Sequence, residues 1–258
     1  MNTDEKAAVA EQFGVATEQV ERDHLISHLL AFLSRDFGDR IHFIGGTALA
    51  RTHLSNGRLS EDIDLIAVGD RRSVAAGLDA ALPRALARTH GRLALDPALS
   101  SVRDTHPAIL RTSDGLAVRL QLLSPRDRIV WPTERRSLVQ RYSDAPAAEL
   151  LVPTRPAFAA SKTATWFDRH ASRDLWDLWA LDRIGAIDAE AENLYRRFGP
   201  TNNPPALRDF MTAPTEADWQ SQLAGQTRLT VSPKDALTAV HDAWAQVIAA
   251  SASGSRPA

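Results

Sequence analysis

The spacing of apolar residues indicates which parts of the chain form helices and strands. Between residues 16 and 36 they recur at three- and four-residue steps, which predicts an amphipathic helix. The run Ile41–Ile44 is short and apolar, and Gly45-Gly46 follows it, before a helix-forming stretch that opens at Thr47. This segment therefore predicts a strand, a glycine turn and a helix.

Further strands follow before the pattern changes. Residues 63–68 are typical of a buried strand and residues 71–89 of a helix. Residues 116–123 alternate between apolar and polar, and shorter strand candidates lie at 92–95 and 101–103. The second half of the chain has a helical pattern. We therefore predict an α/β (α+β) protein with a small mixed sheet in its first half and helices in its second.

The prolines indicate where the chain divides. They are frequent between residues 125 and 156, a stretch typical of a connection between two bodies. We place the boundary after residue 145, which gives a first domain at 1–145 and a helical domain at 146–250. The small, polar tail at 251–258 is predicted to be disordered.

Composition narrows the classes of function. The 258 residues include no cysteine, which excludes disulfides, thiolate zinc sites and cysteine nucleophiles. The longest stretch without a charged residue has thirteen residues, too few to span a membrane. The first 23 residues contain six acids and two basic residues, the opposite of a secretory signal, so we expect a cytoplasmic protein.

Positive charge is concentrated in one stretch. The formal net charge is −2, which argues against non-specific coating of nucleic acid. Residues 101–141, however, hold eight arginines against four acids. This arginine-rich stretch is a candidate surface for binding an anion.

Two acids in the strand after the glycine turn give the strongest functional signal. Side chains alternate along a strand, so Asp62 and Asp64 share one face while Ile63 and Leu65 project to the other, buried face. Two neighbouring carboxylates repel each other, and a divalent cation between them removes the repulsion. The pair therefore predicts a metal site formed by Asp62 and Asp64.

The glycine turn supplies a place for phosphate groups. Gly45 and Gly46 let backbone N–H groups approach phosphate oxygens, and a helix that begins at Thr47 adds its positive end. Taken alone, an Asp-x-Asp is more often a solvated strand edge, and Gly-Gly-Thr is more often a tight turn with a helix cap. Their conjunction favours a nucleotide enzyme in which metal, triphosphate and turn converge.

This order of elements resembles the DNA polymerase β-like nucleotidyltransferase superfamily. Within it, residues 45–50 (GGTALA) and 58–65 (RLSEDIDL) resemble the AbiEii/AbiGii toxin family, which includes the MenT-like mycobacterial toxins. The resemblance extends over about residues 40–182. It implies a nucleoside triphosphate as substrate, Mg²⁺ or Mn²⁺ as cofactor, the 3′ end of tRNA as acceptor and control by a separately encoded antitoxin protein.

The same resemblance predicts a third acid on a later strand. The strand candidate at 116–123 offers Gln121 where an Asp or Glu is expected. Glutamine does not ionise and is a poor ligand for a hard cation. Either the third acid comes from elsewhere or the chemistry proceeds with two.

A second signature lies at residues 161–181. If this segment is one α-helix, Lys162, Arg169, Arg173 and Asp177 form a single polar stripe, with Asp174 off it. Apolar residues surround Asp177, and Arg173 one turn earlier is its expected partner. A surface helix with spaced salt bridges is the alternative interpretation of this pattern.

This segment resembles AbiEii-like proteins, which have a Lys, an Arg and then Arg-Asp-x-x-Asp-Leu. The matching residues here are Lys162, Arg169, Arg173, Asp174, Asp177 and Leu178. The resemblance implies that Lys162 and Arg173 bind the nucleotide and that Lys162 contacts its triphosphate. It also implies that Asp177 completes the catalytic set by positioning or deprotonating the acceptor hydroxyl, with Arg173 orienting Asp177. Asp177 would then replace the acid missing at Gln121.

Two other features are weaker signals. In related toxins a hydroxyl at the place of Ser60 is a phosphorylation target, so Ser60 is a candidate regulatory residue. His24 and His28 lie four residues apart but lack the glutamate of a zinc hydrolase, and we predict no metal site there.

The sequence thus predicts metal-dependent nucleotidyl transfer in a toxin–antitoxin system. Asp62 and Asp64 hold the metal, Gly45, Gly46 and Thr47 cradle the β- and γ-phosphates, and Lys162 screens the pyrophosphate. One alternative keeps this site and changes the acceptor to a protein or a small molecule. Another, suggested by Gln121, is a nucleotide-binding or partner-binding protein without catalysis.

Overall fold

The computed structural model describes residues 1–126 and 130–254. Seven strands of this described chain form one sheet. They are β1 (Ile41–Ile44), β2 (Asp62–Ala67), β3 (Ala94–Asp96), β4 (Ala108–Arg111), β5 (Ala117–Leu123), β6 (Thr133–Ser137) and β7 (Glu149–Pro153). Their order across the sheet is β3-β4-β5-β2-β1-β7-β6. β2 and β5 are parallel, as are β1 and β7, whereas β1–β2, β3–β4 and β4–β5 are antiparallel. The predicted small mixed sheet is therefore confirmed.

Four helices accompany the sheet. They are α1 (Thr3–Phe13), α2 (Thr17–Phe37), α3 (Gly45–Arg51) and α4 (Arg71–Ala85). The helix predicted at 16–36 is confirmed as α2, and its apolar stripe is buried. Leu29 and Leu33 of α2 line the same apolar interior as Ile63 of β2 and Leu120 of β5. The apolar stripe of α2 packs against one face of the sheet, so the opposite face can carry a functional site.

A buried ion pair fixes α3 against α2. Arg51 at the end of α3 donates from Nη2 to Oδ1 of Asp23 over 2.8 Å, and both side chains are almost fully buried. The Tyr142 hydroxyl donates to the other oxygen of Asp23 over 3.0 Å. Burial lowers the pKa of Arg51 to about 10, although Asp23 opposes that shift, so the guanidinium stays charged at neutral pH.

Some strand predictions were wrong. Residues 101–103 do not form a strand: Leu99–Ser101 is a 3₁₀ turn, because the Asp79 carboxylate accepts hydrogen bonds from the backbone N–H groups of Leu99 and Ser100. The separate glycine turn before Thr47 is also absent, since α3 begins directly at Gly45. The short strands β4, β6 and β7 carry patterns too brief to predict from sequence.

The chain separates into two compact units, Met1–Val152 and Pro153–Ala258. The boundary falls later than the predicted one after residue 145, because β7 pairs with β1 through Leu151 and His42. This pairing makes the residues just beyond 145 part of the first unit.

The second unit is helical, as predicted. Its helices are α5 (Arg155–Arg169), α6 (Ser172–Arg183), α7 (Ala189–Phe198), α8 (Glu216–Leu223) and α9 (Pro233–Gly254). Residues 251–254 belong to α9, so the disordered tail predicted to start at 251 is helical over its first four residues. The rest of that tail, 255–258, lies outside the described residues. Within the described chain, no helix is both long and apolar enough to cross a membrane.

The single helix predicted over residues 161–181 is wrong. His170 adopts the left-handed conformation with φ of 50°, which ends α5, and α6 begins at Ser172. The backbone break changes the angular relation of every side chain after it to those before it.

Candidate active site

The acids Asp62 and Asp64 of β2 lie on one face of the sheet, as predicted. Both are half-buried, whereas Ile63 and Leu65 between and beyond them are fully buried on the other face. The Asp62 side chain keeps 28% of its surface exposed. Apolar residues therefore pack on the sheet face opposite the pair, and the face that carries the two acids is partly exposed. A site for a cation and an anionic substrate requires such exposure.

Gly45 packs directly against the second acid. It has a φ of +79°, and a Cβ added to it would lie 2.5 Å from Oδ2 of Asp64. Only glycine allows both this backbone conformation and this approach. The first glycine of the motif thus makes room for the Asp64 carboxylate.

Thr47 connects α3 to the start of β2. Its side chain is buried, and its hydroxyl donates a hydrogen bond to the backbone carbonyl of Asp62. The hydroxyl proton is therefore engaged within the protein and positions the strand that carries the acids. The prediction that Thr47 contributes to a phosphate cradle depends on its backbone N–H.

Arg119 of β5 lies beside the first acid. β2 and β5 pair in parallel with Asp62 opposite Arg119, and Nη1 of Arg119 is 3.4 Å from Oδ2 of Asp62. Cross-strand register places Arg111 of β4 on the same sheet face, because its partner Ala117 alternates with Arg119 along β5. The acids therefore share their face with two arginines.

Gln121 takes the place where a third acid was expected. It lies opposite Asp64 in the register of β2 and β5. Its amide Nε2 donates to the backbone carbonyls of Asp104 and Thr105, over 3.2 Å and 3.1 Å. The side chain is thus held by the preceding loop, where a carboxylate would face carbonyl oxygens instead of hydrogen-bond donors.

Residues of the second signature form a buried ion cluster in the second unit. Nζ of Lys162 lies 2.6 Å from Oδ2 of Asp177 and 3.0 Å from Oδ1 of Asp174. Arg169 donates from Nε to Oδ2 of Asp174 over 2.7 Å. Burial alone would raise the pKa of Asp174, but Lys162 and Arg169 together lower it to about 2.

The structure corrects the predicted partners in this segment. Asp174, predicted to lie off the polar stripe, is the centre of the ion cluster, because the break at His170 turns α6 relative to α5. Asp177 pairs with Lys162, so its predicted pairing with Arg173 is wrong. Within the part of the chain that the structure describes, Arg173 forms no ion pair.

Comparisons with known proteins identify the family of the chain. The sequence model of the family described as nucleotidyl transferase AbiEii toxin, type IV toxin–antitoxin system, matches residues 29–248. The chain belongs to the AbiEii family. It is therefore a nucleotidyltransferase toxin of a type IV system, and an antitoxin partner is implied.

Solved structures show that the AbiEii fold is shared. The chain is similar to MenT4, a nucleotidyltransferase toxin from Mycobacterium tuberculosis, with a TM-score of 0.65 and 23% identity over 94% of this chain and 89% of MenT4. It is also similar to a protein from H. pylori assigned as a nucleotidyltransferase, with a TM-score of 0.55 and 15% identity over 94% of this chain and 100% of that one. No curated protein matches the sequence.

The arginines of the arginine-rich stretch in this AbiEii protein differ in their contacts and exposure. Arg141 is buried and donates to the backbone carbonyls of Ala50 and Ser55, so it holds the fold together. Arg135 and Arg136 pair with acids. Three arginines of the stretch are exposed and form no ion pair within the described chain: Arg103, Arg111 and Arg126. Arg128 lies outside the described residues.

Ser60 is almost fully buried in this AbiEii protein, with 9% of its surface exposed. A Cβ on Gly46 would lie 3.4 Å from the Ser60 hydroxyl oxygen and 2.6 Å from Nη2 of Arg58. The second glycine of the motif thus gives Arg58 and Ser60 their space. Phosphorylation of Ser60, which stays a prediction, would require this segment to move.

Sequence reasoning missed one polar cluster. His24 and His28 of α2 are joined by Asp144, whose carboxylate lies 3.0 Å from Nε2 of His24, and by His90. The spacing of His24 and His28 was the available signal. Neither partner could be assigned from sequence, because they lie 66 and 120 residues away from His24.

Proposed function

We propose that this nucleotidyltransferase transfers a nucleotidyl group from a nucleoside triphosphate to the 3′ end of tRNA, in the cytoplasm, with Mg²⁺ or Mn²⁺ as cofactor. The observation that carries the proposal is the placement of Asp62 and Asp64 on one open sheet face, with Gly45 against the second carboxylate. We infer that this arrangement binds a metal–triphosphate complex, because paired carboxylates and substrate phosphates together hold a divalent cation.

The residues present fit a divalent metal. Mg²⁺ is commonly held by one or two carboxylates together with water and substrate phosphates, and Asp62 and Asp64 supply two. Gly45 makes room for the Asp64 carboxylate, because a Cβ at this position would lie 2.5 Å from Oδ2. A bound metal would neutralise the triphosphate and polarise the α-phosphorus.

The chain's own residues then have defined tasks. Arg119 reduces the negative charge at Asp62, and the backbone at Gly45 and Gly46 faces the substrate phosphates. In the transfer, an acceptor hydroxyl oxygen forms a bond to the α-phosphorus, and the bond from the α-phosphorus to the bridging oxygen breaks, releasing pyrophosphate. The acceptor proton passes to a base, the role predicted for Asp177.

Exposed arginines support a nucleic-acid acceptor. Arg111 shares the sheet face of the acids, and Arg103 and Arg126 are exposed in neighbouring loops. Guanidinium groups bind phosphate oxygens in bidentate fashion and position a nucleic-acid backbone without reading its sequence. A protein side chain or a small molecule as acceptor would not require these arginines.

The test is transfer of label from triphosphate to acceptor. The purified protein is incubated with Mg²⁺, each of the four α-³²P-labelled nucleoside triphosphates and total tRNA. Asp62→Asn and Asp64→Asn are expected to lower transfer at least about 100-fold. Their folds should persist, because loss of one acid relieves repulsion in the pair. Asp39→Asn, at a carboxylate that is 89% exposed, is the matched control and should remain active.

Each pattern of label has a separate meaning. Label that enters tRNA with the unaltered protein but not with the two acid variants supports the proposal. It also shows which nucleoside triphosphate is the donor. Label in protein or in a small molecule retains the chemistry and changes the acceptor. No label anywhere, with nucleotide still bound, would identify a binding protein without catalysis.

Lys162, Asp177 and Arg173 stay predicted active-site residues, and their test must separate catalysis from folding. Lys162→Met removes both the predicted triphosphate contact and the charge that pairs with Asp174. Asp174→Asn disturbs the same ion cluster without a predicted substrate contact. A catalytic role for Lys162 predicts a much larger loss of transfer in Lys162→Met than in Asp174→Asn at equal fraction folded.

A further inference from the structure

A compact group of imidazoles and a carboxylate lies in the first unit, formed by residues of three separate segments. His24 and His28 come from α2, His90 from the turn after α4, and Asp144 from the turn before β7. Ligand atoms of His24, His28 and Asp144 all lie within 4.8 Å of one another. We call these four residues the histidine cluster. None of them belongs to the acidic site on β2.

Hydrogen bonds around the cluster favour one tautomer of His24. The Thr89 hydroxyl donates to the carbonyl of Leu86, so its oxygen accepts from Nδ1 of His90 over 3.0 Å. Nε2 of His90 is therefore free of a proton in the neutral ring and accepts from Nδ1 of His24 over 3.2 Å. This series of hydrogen bonds leaves the lone pair of His24 Nε2 directed to the centre of the cluster.

The geometry at the centre of the cluster suits a bound cation. Nε2 of His24 faces both oxygens of Asp144 at 3.0 Å and Nε2 of His28 at 3.2 Å. A nitrogen lone pair opposite a carboxylate is repulsive unless a proton or a metal ion lies between them.

The distances match a tetrahedral zinc site. With zinc–ligand bonds near 2.0–2.1 Å, ligand atoms around the ion are about 3.3 Å apart. The corresponding separations here are 3.0 Å, 3.2 Å and 3.8 Å. Two imidazole nitrogens and one carboxylate oxygen leave a fourth position for water, and imidazole ligands favour zinc over Mg²⁺.

We propose that His24, His28 and Asp144 bind a divalent transition metal, Zn²⁺ by ligand chemistry, with His90 orienting His24. The ion would join α2 to the turn before β7, and so stabilise the first unit. The Met1 amino group also contacts Asp144 and competes with the metal for that carboxylate. His90 is a positioning residue, since its Nε2 contacts His24.

The test measures metal binding directly. The full chain, free of any affinity tag and stripped with a chelator, is titrated with Zn²⁺ in competition with a chromophoric zinc indicator. Co²⁺ is used in parallel for its visible absorption in a tetrahedral site. We expect one Zn²⁺ per chain. At a hundredfold excess over its Kd, Zn²⁺ should raise the Tm of the first unit by about 5–10 °C.

Variants locate the ion. His24→Gln and Asp144→Asn are expected to weaken Zn²⁺ binding by more than about 100-fold, and His90→Phe by about 10- to 100-fold. Asp144 is 42% exposed, so its variant should fold. His241→Gln is the matched control, because His241 and Asp242 form a pair at 2.9 Å that gains no third ligand from the described residues. It should bind Zn²⁺ as the unaltered chain does.

Two outcomes with the unaltered chain and the cluster variants would overturn the proposal. One is the absence of stoichiometric Zn²⁺ binding by the unaltered chain, which would make the cluster a proton-bridged ion pair. The other is equal binding by His24→Gln, Asp144→Asn and the unaltered chain. If Asp62→Asn abolished binding instead, the ion would belong to the acidic site on β2; retention of binding in that variant supports the histidine cluster.

Discussion

Asp64 lies directly opposite Gln121 in the parallel pairing of β2 and β5, so the second acid of the motif faces an amide where a carboxylate was expected. The amide is engaged by the backbone carbonyls of Asp104 and Thr105. A third acid at this position would lie near the carbonyl oxygens of Asp104 and Thr105 and the carboxylate oxygens of Asp64. The local structure is therefore adapted to glutamine.

Gln121→Glu should destabilise the protein by about 1–3 kcal/mol without increasing nucleotidyl transfer. The change replaces two donated hydrogen bonds by contacts between a carboxylate and carbonyl oxygens. Urea unfolding followed by far-UV circular dichroism measures the loss, and Gln220→Glu on the exposed face of α8 is the control. Higher transfer activity at unchanged stability would show instead that an acid is functional there.

Gly45→Ala should abolish nucleotidyl transfer because it displaces the Asp64 carboxylate. The alanine would be strained at a φ of +79°, by about 1–2 kcal/mol, and its Cβ would displace the Asp64 carboxylate. Gly69→Ala is a matched control, because Gly69 has a φ of +81° and nothing within 4 Å of an added Cβ. Similar losses of stability are expected in both variants, with transfer lost only in Gly45→Ala. Equal activity in the two would contradict the role assigned to Gly45.

Asp174 should make the second unit sensitive to acid. Its pKa is about 2 in the folded protein and about 3.9 in an unfolded chain. A lowered pKa stabilises the fold above the unfolded value, so about 2–3 kcal/mol is present above pH 4 and is lost as the pH falls toward 2. Tryptophan fluorescence reports on this unit, which holds five of the six tryptophans.

The comparison with Asp174→Asn isolates that contribution. The variant should be less stable than the unaltered chain at pH 6, and the difference should shrink between pH 4 and pH 2. A constant difference over this interval would mean that Asp174 is not the titrating group.

Asp23→Ala should destabilise the first unit by about 3–5 kcal/mol, because it leaves the buried charge of Arg51 uncompensated and removes one of two acceptors near the Tyr142 hydroxyl. Asp36→Ala is the control, since Asp36 pairs with Arg35 at the surface and should change stability by less than about 1 kcal/mol. Thermal unfolding of both variants measures the contrast. Equal effects would mean that the Asp23–Arg51 pair adds nothing beyond a surface contact.

Local pattern was sufficient to predict much of the first unit. The periodicity of α2, the strand at Ile41–Ile44 and the alternation in β2 are properties of short segments, and the structure has them where the sequence indicates. The shared face of Asp62 and Asp64 follows from that alternation. Comparisons of fold and family agree with the nucleotidyltransferase prediction that rested on these motifs.

What the sequence could not predict depends on single backbone angles and distant partners. One residue in the left-handed conformation, His170, divides the segment predicted as one helix and makes Asp174 the partner of Lys162. The histidine cluster needs Asp144, which comes from a turn far along the chain. Neither relation leaves a periodic trace in the sequence.

The break at His170 also has a kinetic consequence. Lys162 and Asp174 are only 12 residues apart in sequence, so closing the α5–α6 hairpin costs little chain entropy. Asp62 and Arg119 are 57 residues apart, and the parallel pairing of β2 with β5 must close that longer loop. We therefore expect the hairpin of the second unit to form early in folding, and β2, the strand that carries Asp62 and Asp64, to acquire its final partner late.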